Sequence, residues 1–337
     1  RKIRTPKDQG EKNGLVADLQ KHAPSSPEST SGCLAPCFII ALLFAFPATA
    51  ETEVPAIPQH RLSYENLTVV RHNPEGLQDD FRLSYRYRLY GENPGLLFRE
   101  CEILTGATTY LTPAFIRTGG RVAVRPLAIL YLESRLEWVG SFGTLGHVLG
   151  FPDPLSDASD GAREERKDDA LQTTGRLTTL IAQLRARAGP VVVRSTGAMI
   201  HSKMDLTGGD TVWYDGVNDV LMPADGWMLH LDNDLLWMDG GPWIAGIRHT
   251  MDHVFYPDAD TFDDTLLNEK TPTHRLGPLV AYTFFNDPGT AFNRPTLALI
   301  LNWHLKHPYR AGQEIHQAMP YALLAFAFRG DLLQSQP

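Results

Sequence analysis

Residues 227–237 read Trp-Met-Leu-His-Leu-Asp-Asn-Asp-Leu-Leu-Trp. Trp227, Leu229, Leu231, Leu235 and Trp237 share one parity, and Met228, His230, Asp232, Asp234 and Leu236 share the other. An extended strand turns successive side chains to opposite faces, so this stretch has one apolar face and one largely polar face. At ~3.3 Å per residue the two tryptophans stand about 33 Å apart along the strand. Tilted by ~40°, that projects to about 25 Å, the height of the apolar band on a membrane-spanning barrel, with an aromatic ring at each interface. Asn233 interrupts the apolar face.

The same alternation recurs outward from this strand. Phe81, Leu83, Tyr85, Tyr87 and Leu89 oppose Arg82, Ser84, Arg86 and Arg88. Between residues 122 and 138, Val122, Val124, Ala128, Leu130, Leu132, Leu136 and Trp138 lie on one face, and Arg125, Glu133, Arg135 and Glu137 on the other. Leu297, Leu299, Leu301, Trp303 and Leu305 alternate with Ala298, Ile300, Asn302, His304 and Lys306. No sustained helical period appears after residue 51. Candidate strands fall at residues 80–90, 97–116, 121–139, 173–187, 191–204, 226–238, 243–255, 274–285, 295–307 and 321–331, with room for an eleventh at 62–72 that parity would extend to twelve. Tight Gly/Pro turns at 188–190 and 239–242 alternate with long polar connections at 140–172, 205–225 and 256–273.

Alternation alone also suits a water-soluble sandwich. Strand length and the long/short alternation of connections tip the balance, and here the chain resembles bacterial outer-membrane β-barrel proteins. The resemblance covers about residues 80–331. It implies an all-β fold: an antiparallel transmembrane barrel of 10–12 strands with short periplasmic turns and long extracellular loops. Many such proteins end in an aromatic residue, whereas here the last strand is followed by Gln334-Ser-Gln-Pro, which leaves Phe326 and Phe328 as an internal equivalent.

The chain of 337 residues has 31 Lys plus Arg against 39 Asp plus Glu, a net charge of −8, which argues against nucleic acid as a partner. A mean hydropathy of −0.21 excludes a polytopic helical membrane protein. Residues 34–46 (LAPCFIIALLFAF) are uncharged, too short to span a bilayer as a helix, and followed by Ala48-Thr-Ala50. This predicts an export signal over residues 1–50 cleaved after Ala50, behind a long basic leader without an initiator Met. Removing it takes away six Lys/Arg and four Asp/Glu, and leaves 25 basic and 35 acidic residues. Residues 51–79 then read as a periplasmic lead-in with room for one strand, 80–333 as the barrel and 334–337 as a tail. The expected location is the outer membrane of a Gram-negative bacterium, with membrane lipid as partner and small solutes as candidate cargo. Cys33, Cys37 and Cys101 form no CxxC pair, and no metal or cofactor is expected.

With Trp138, Trp227, Trp237 and Trp303 as the lipid-facing girdles, the lumen would be lined by Arg82, Arg86, Arg88, Arg125, Glu133, Arg135, Glu137, His230, Asp232, Asp234, Arg248, Asp252, Asn302, His304 and Lys306. Such charges either pair and fill the barrel or border a narrow aqueous path. The expected function is a porin-like channel or a structural barrel. Two alternatives stand beside it: a barrel-borne hydrolase using His201, Ser202, His249 or His253, and a soluble periplasmic ligand-binding β-protein. On a strand His249 and His253 are ~13 Å apart, too far to share a metal.

Overall fold

The computed structural model describes residues 58–90, 95–144, 148–170, 172–257 and 259–334. The expected signal and its cleavage site lie outside them. Among the described residues fifteen strands occur: β1 (His60–His72), β2 (Gly76–Arg88), β3 (Glu102–Leu111), β4 (Phe115–Leu127), β5 (Leu130–Ser141), β6 (Gly150–Phe151), β7 (Thr174–Ala188), β8 (Val191–Met204), β9 (Val212–Asp215), β10 (Val220–Pro223), β11 (Asp225–Trp237), β12 (Trp243–Phe255), β13 (Thr273–Thr283), β14 (Asn293–Lys306) and β15 (Tyr321–Gln334). Twelve of them close into an antiparallel barrel in the order β1-β15-β14-β13-β12-β11-β8-β7-β5-β4-β3-β2, at the top of the expected range of 10–12. The seam is β1 against β15, paired from Arg61–Gln334 to His72–Ala322 with one register shift between Leu62 and Ser63.

Alternation decides what each face meets. On β11, Met228 is 0% and Asp234 3% exposed, while Trp237 is 55% exposed. On β5, Glu133 and Glu137 are buried, whereas Leu136 is 57% and Trp138 75% exposed. Leucine and tryptophan therefore point out from the ring and carboxylates point in. With an even strand count, the start of β1 and the end of β15 share one rim, here called the near rim. Residues 128–129 and 189–190 make tight turns there, and Gly189 supplies φ +58°.

Three boundaries differ from the sequence reading. The barrel begins at His60, so residues 60–79 belong to the wall rather than to a lead-in. Residues 121–139 are two strands, not one. A bulge between Val124 and Leu127 pairs Val122 with Ser134 and Val124 with Leu132, so even-numbered residues face outward on both sides of the turn and the alternation runs unbroken across it. Residues 97–101 and 112–114 are turns flanking β3, and the near-rim connection between β2 and β3 is long.

The far-rim connections are not free loops. β6, β9 and β10 form a small sheet in the order β10-β9-β6. Helices α1 (Asp160–Glu165) and α2 (Asp264–Lys270) lie in the same group of connections. Trp213, Val220 and Met222 of this sheet pack with Tyr110, Leu177, Met204, Met228 and Val254, the inward residues of the far ends of five barrel strands. A folded cap is thus anchored in the far mouth.

Gly277 marks a place where two strands need the absence of a side chain. A Cβ there would sit 2.0 Å from the Leu301 carbonyl oxygen and 2.8 Å from the Asn302 Cα. Gly277→Ala is expected to destabilise the barrel by about 1–3 kcal/mol through overpacking, read as a lower urea midpoint for the folded protein in detergent.

Candidate functional site: the barrel interior and its cap

Two ionic networks occupy the inward face. The first spans β1 to β5. Arg86 donates to Glu65 at 2.6 Å, to Glu102 at 2.7 Å and to the Ser63 hydroxyl at 2.7 Å. Arg121 donates to Glu133 at 2.7 Å, and Glu133 also receives Arg135 and the Tyr131 hydroxyl. Arg82 pairs with Asp80. The second network spans β8 to β13. Asp234 accepts from Arg194 at 2.6 Å and from Arg248 at 2.7 Å. Asp232 accepts from the Thr250 hydroxyl at 2.6 Å and lies 3.1 Å from Arg248, and His230 meets Asp252 at 2.6 Å. Burying one charge without its partner is costly, and here each buried carboxylate of these networks has at least one cation or donor beside it.

The remaining members of the expected lining divide. Arg125 reaches Glu100 at 2.9 Å close to the near rim, where Arg185 joins the same carboxylate. The backbone N–H of Arg88, the last residue of β2, donates to the Gln59 carbonyl at 2.9 Å. Glu137 is buried opposite Gly119 with no side-chain partner among the described residues. Asn302 and His304 are buried next to each other on one face, and Asn302 Nδ2, Asn302 Oδ1 and His304 Nε2 find no protein partner among the described residues. Lys306 departs from the expected lining. A bulge at His274/Arg275 sets it opposite His274, which bonds the outward His249, so Lys306 shares the outer face.

The weak catalytic candidates are not assembled. His201 and Ser202 point to opposite faces of β8; His201 lies 3.2 Å from Asp225, whereas the buried Ser202 hydroxyl accepts from the Trp213 indole at 2.9 Å. His249 contacts His274 at 3.2 Å, and His253 packs edge-on against Phe255. No nucleophile–base pair results. Among the described residues no group of three or more His, Cys, Asp or Glu is placed to hold a metal.

Sequence reasoning missed the residues that hold the cap. Arg310 is 2% exposed. Its guanidinium donates to Asn73 at 2.9 Å, to both Asp160 oxygens at 2.8 and 3.0 Å, and to both carboxylate oxygens of Asp219, one at 3.1 Å. These partners come from three other far-rim connections. His307 lies 3.1 Å from Asp219, and the Tyr214 hydroxyl donates to Asp219 at 2.6 Å. Arg71 of β1 donates to the carbonyls of Gly216 at 2.6 Å and Val217 at 2.7 Å, which ties the cap to the wall. Burial alone would raise the Asp219 pKa, but His307 and Arg310 beside it hold the carboxyl well below the usual range. Burial is also the main cause that pushes the Tyr214 hydroxyl up, so it stays a donor.

No protein-family model matches this sequence, and no curated protein matches it. Solved structures similar to the chain include Pseudomonas aeruginosa OccD3 (OpdP), at 10% identity over 82% of this chain and 93% of that one, with a TM-score of 0.29. The outer membrane protein OprD from Pseudomonas aeruginosa aligns at 11% identity over 83% and 95%, with a TM-score of 0.28. The monoaromatic hydrocarbon channel CymD aligns at 12% identity over 81% and 87%, with a TM-score of 0.31. Likeness at this level assigns neither substrate nor mechanism.

Arg310→Met leaves the buried Asp219 without its guanidinium, a change that costs about 3–5 kcal/mol in such pairs, and Asp160, which is half-exposed, keeps only Arg163. The expected outcome is rapid protease cleavage within residues 142–173 and 205–224 while the barrel core stays intact. A carboxylate with a depressed folded pKa contributes stability above its unfolded value of ~3.9 and loses it as pH falls through the folded value. The share of cap protection that Asp219 supplies is therefore expected to be full above about pH 4 and to be lost only in stronger acid, measured by proteolysis or amide exchange.

Proposed function

We propose that the protein is an integral outer-membrane β-barrel of a Gram-negative envelope: a narrow, porin-like channel with a charged lumen, closed at its outer mouth by its own cap. The observation that carries this reading is the inverted wall. Val122, Leu136, Leu184 and Leu235 are exposed on the outside of a closed ring, while Glu133, Asp234 and Asp252 are buried on the inside. A soluble barrel puts its apolar residues in its interior. An outward apolar band is at low free energy when hydrocarbon surrounds it.

In this arrangement Trp138, Trp227, Trp237 and Trp303 form the interfacial girdles. The near rim faces the periplasm, where the export signal delivers the chain. The cap faces the exterior. The lining is Arg82, Arg86, Arg88, Arg125, Glu133, Arg135, Glu137, His230, Asp232, Asp234, Arg248, Asp252, Asn302 and His304, whose mixed signs suit small polar solutes rather than one ion class. The dispersed His201, Ser202, His249 and His253 give no support to a hydrolase.

Conductance in planar bilayers tests the channel. The wild type is expected to open rarely. Asp219→Ala removes the acceptor at the centre of the cap and is expected to raise the open fraction many-fold. Silence of both proteins at every salt and voltage overturns the channel and leaves a structural barrel. The membrane assignment has its own test: Leu231→Arg, on the outer face midway between Trp227 and Trp237, should cost about 2–4 kcal/mol of folding in lipid. No loss in lipid, or release of the wild type from envelopes without detergent, overturns it.

A further inference from the structure

One part of the outer wall does not suit hydrocarbon. Ser195 on β8, Asn233 on β11 and His249 on β12 are direct cross-strand neighbours on the outward face, and His274 on β13 continues the row. The Ser195 hydroxyl donates to Asn233 Oδ1 at 2.7 Å, and His249 Nε2 meets His274 Nδ1 at 3.2 Å. Those two bonds use only part of what the row carries. Asn233 Nδ2, His249 Nδ1 and His274 Nε2 have no partner among the described residues. Asn233 lies between Trp227 and Trp237, and His249 lies midway between Trp243 and Phe255, so both belong to the interior of the apolar band. Lipid tails offer no donors or acceptors, and polar groups left unmet there are costly.

Another outward polar group shows the difference. Asp79 on β2, on the far side of the ring, has both carboxylate oxygens satisfied within the chain by Asn66 at 3.0 and 3.1 Å and by Thr68 at 2.7 Å. Both oxygens of that group are met within the chain, whereas the row across β8, β11, β12 and β13 leaves nitrogens unmet.

We propose that this row is a contact surface for a second copy of the same chain, side by side in the membrane. The inference rests on the membrane reading above. Three features favour a like copy. Its apolar band has the same height, so its own row arrives at the same depth without adjustment. The row carries both a free amide donor and imidazole nitrogens able to accept, so it complements itself about a two-fold axis along the membrane normal. Lys306 stands beside His274 at one end of the row, and a two-fold that sets His274 against the partner's Ser195 keeps the two lysines at opposite ends of the contact. Hydrogen bonds across an interface in the apolar band satisfy groups that lipid cannot.

The test uses full-length protein in isolated outer membranes, with Cys33, Cys37 and Cys101 replaced by serine and a single new cysteine added. A short bis-maleimide is the probe. Leu235→Cys, outward on β11 and two residues from Asn233, keeps the row intact and is expected to give a cross-linked dimer. Phe81→Cys, on β2 and six strands away round the ring, is expected to give none. Adding His249→Leu and His274→Leu to the Leu235→Cys protein should abolish the dimer, while the heat-dependent gel shift of a folded barrel persists. Monomer at both positions overturns the proposal, as does equal cross-linking at both. A dimer that survives the double leucine change overturns the role of the row. Protein that leaves the envelope without detergent fails the membrane reading first, and the proposal with it, so the two failures are told apart.

Discussion

Hydrocarbon cannot hydrogen-bond a peptide group, and this constraint organises the structure. A sheet crossing the apolar band must leave no edge, because each unmet N–H or C=O there costs several kcal/mol. The β1–β15 seam removes the last edge: residues 61–72 pair with residues 322–334 along nearly the whole strand. Closure of an antiparallel ring requires an even number of strands, which places both ends of the ring on one rim. The long connections then fall on the other rim, apart from the one between β2 and β3. Once the ring is closed, strict alternation sends one parity to the surroundings and the other to the interior. Inward arginines and carboxylates and outward leucines are one consequence of the same geometry, not separate features.

The interior solves a second problem differently at its two levels. In the wall the charges meet in chains such as Arg86–Glu65–Arg121 and Arg194–Asp234–Arg248, and several members stay partly open to solvent. Water can share the work of solvating them, which lowers the penalty for any single imperfect pair. In the cap the centre is dry. Asp219 and Arg310 are almost completely buried, and four connections converge on them. A dry pair is strong while complete and costly when broken, so the cap is held by an arrangement that tends to be whole or lost. The apolar packing of Trp213 and Met222 against Met228 and Val254 supplies area but no direction. The Arg310 fork supplies the direction.

The wall was largely legible in the sequence because alternation is a local signal with a period of two. The strand at 225–237 shows it plainly, and β7, β8, β12 and β14 fall within two residues of their expected bounds. Where legibility failed, the same signal was the cause. The β4–β5 turn preserved parity and so disappeared into one long apparent strand. β1 carries Ser63, Glu65, Asn66 and Thr68, which dilute the contrast between its faces. Lys306 follows a bulge, and a one-residue slip moves a side chain to the other face. The cap was illegible for a different reason. Asn73, Asp160, Asp219 and Arg310 are scattered over more than 200 residues in stretches without periodicity, and only the folded ring brings them together. Polar residues in a long connection look solvated until that closure is known.

Mobility follows from this division. A wall strand cannot leave the ring without exposing two rows of peptide groups to hydrocarbon. The cap sits at the water interface, where any peptide group it releases is met at once by solvent. Its backbone carries few ladder bonds: β6 has two residues, and β9 and β10 four each. What restrains it is the apolar packing around Trp213 and Met222 and the guanidinium contacts of Arg310 and Arg71 rather than a continuous ladder, so its opening free energy lies below that of the ring. If anything in this molecule moves to admit a solute, physical cost selects the cap over the wall. The lumen beneath it already presents fixed charges of both signs, so lifting the cap changes access while leaving the lining as it was.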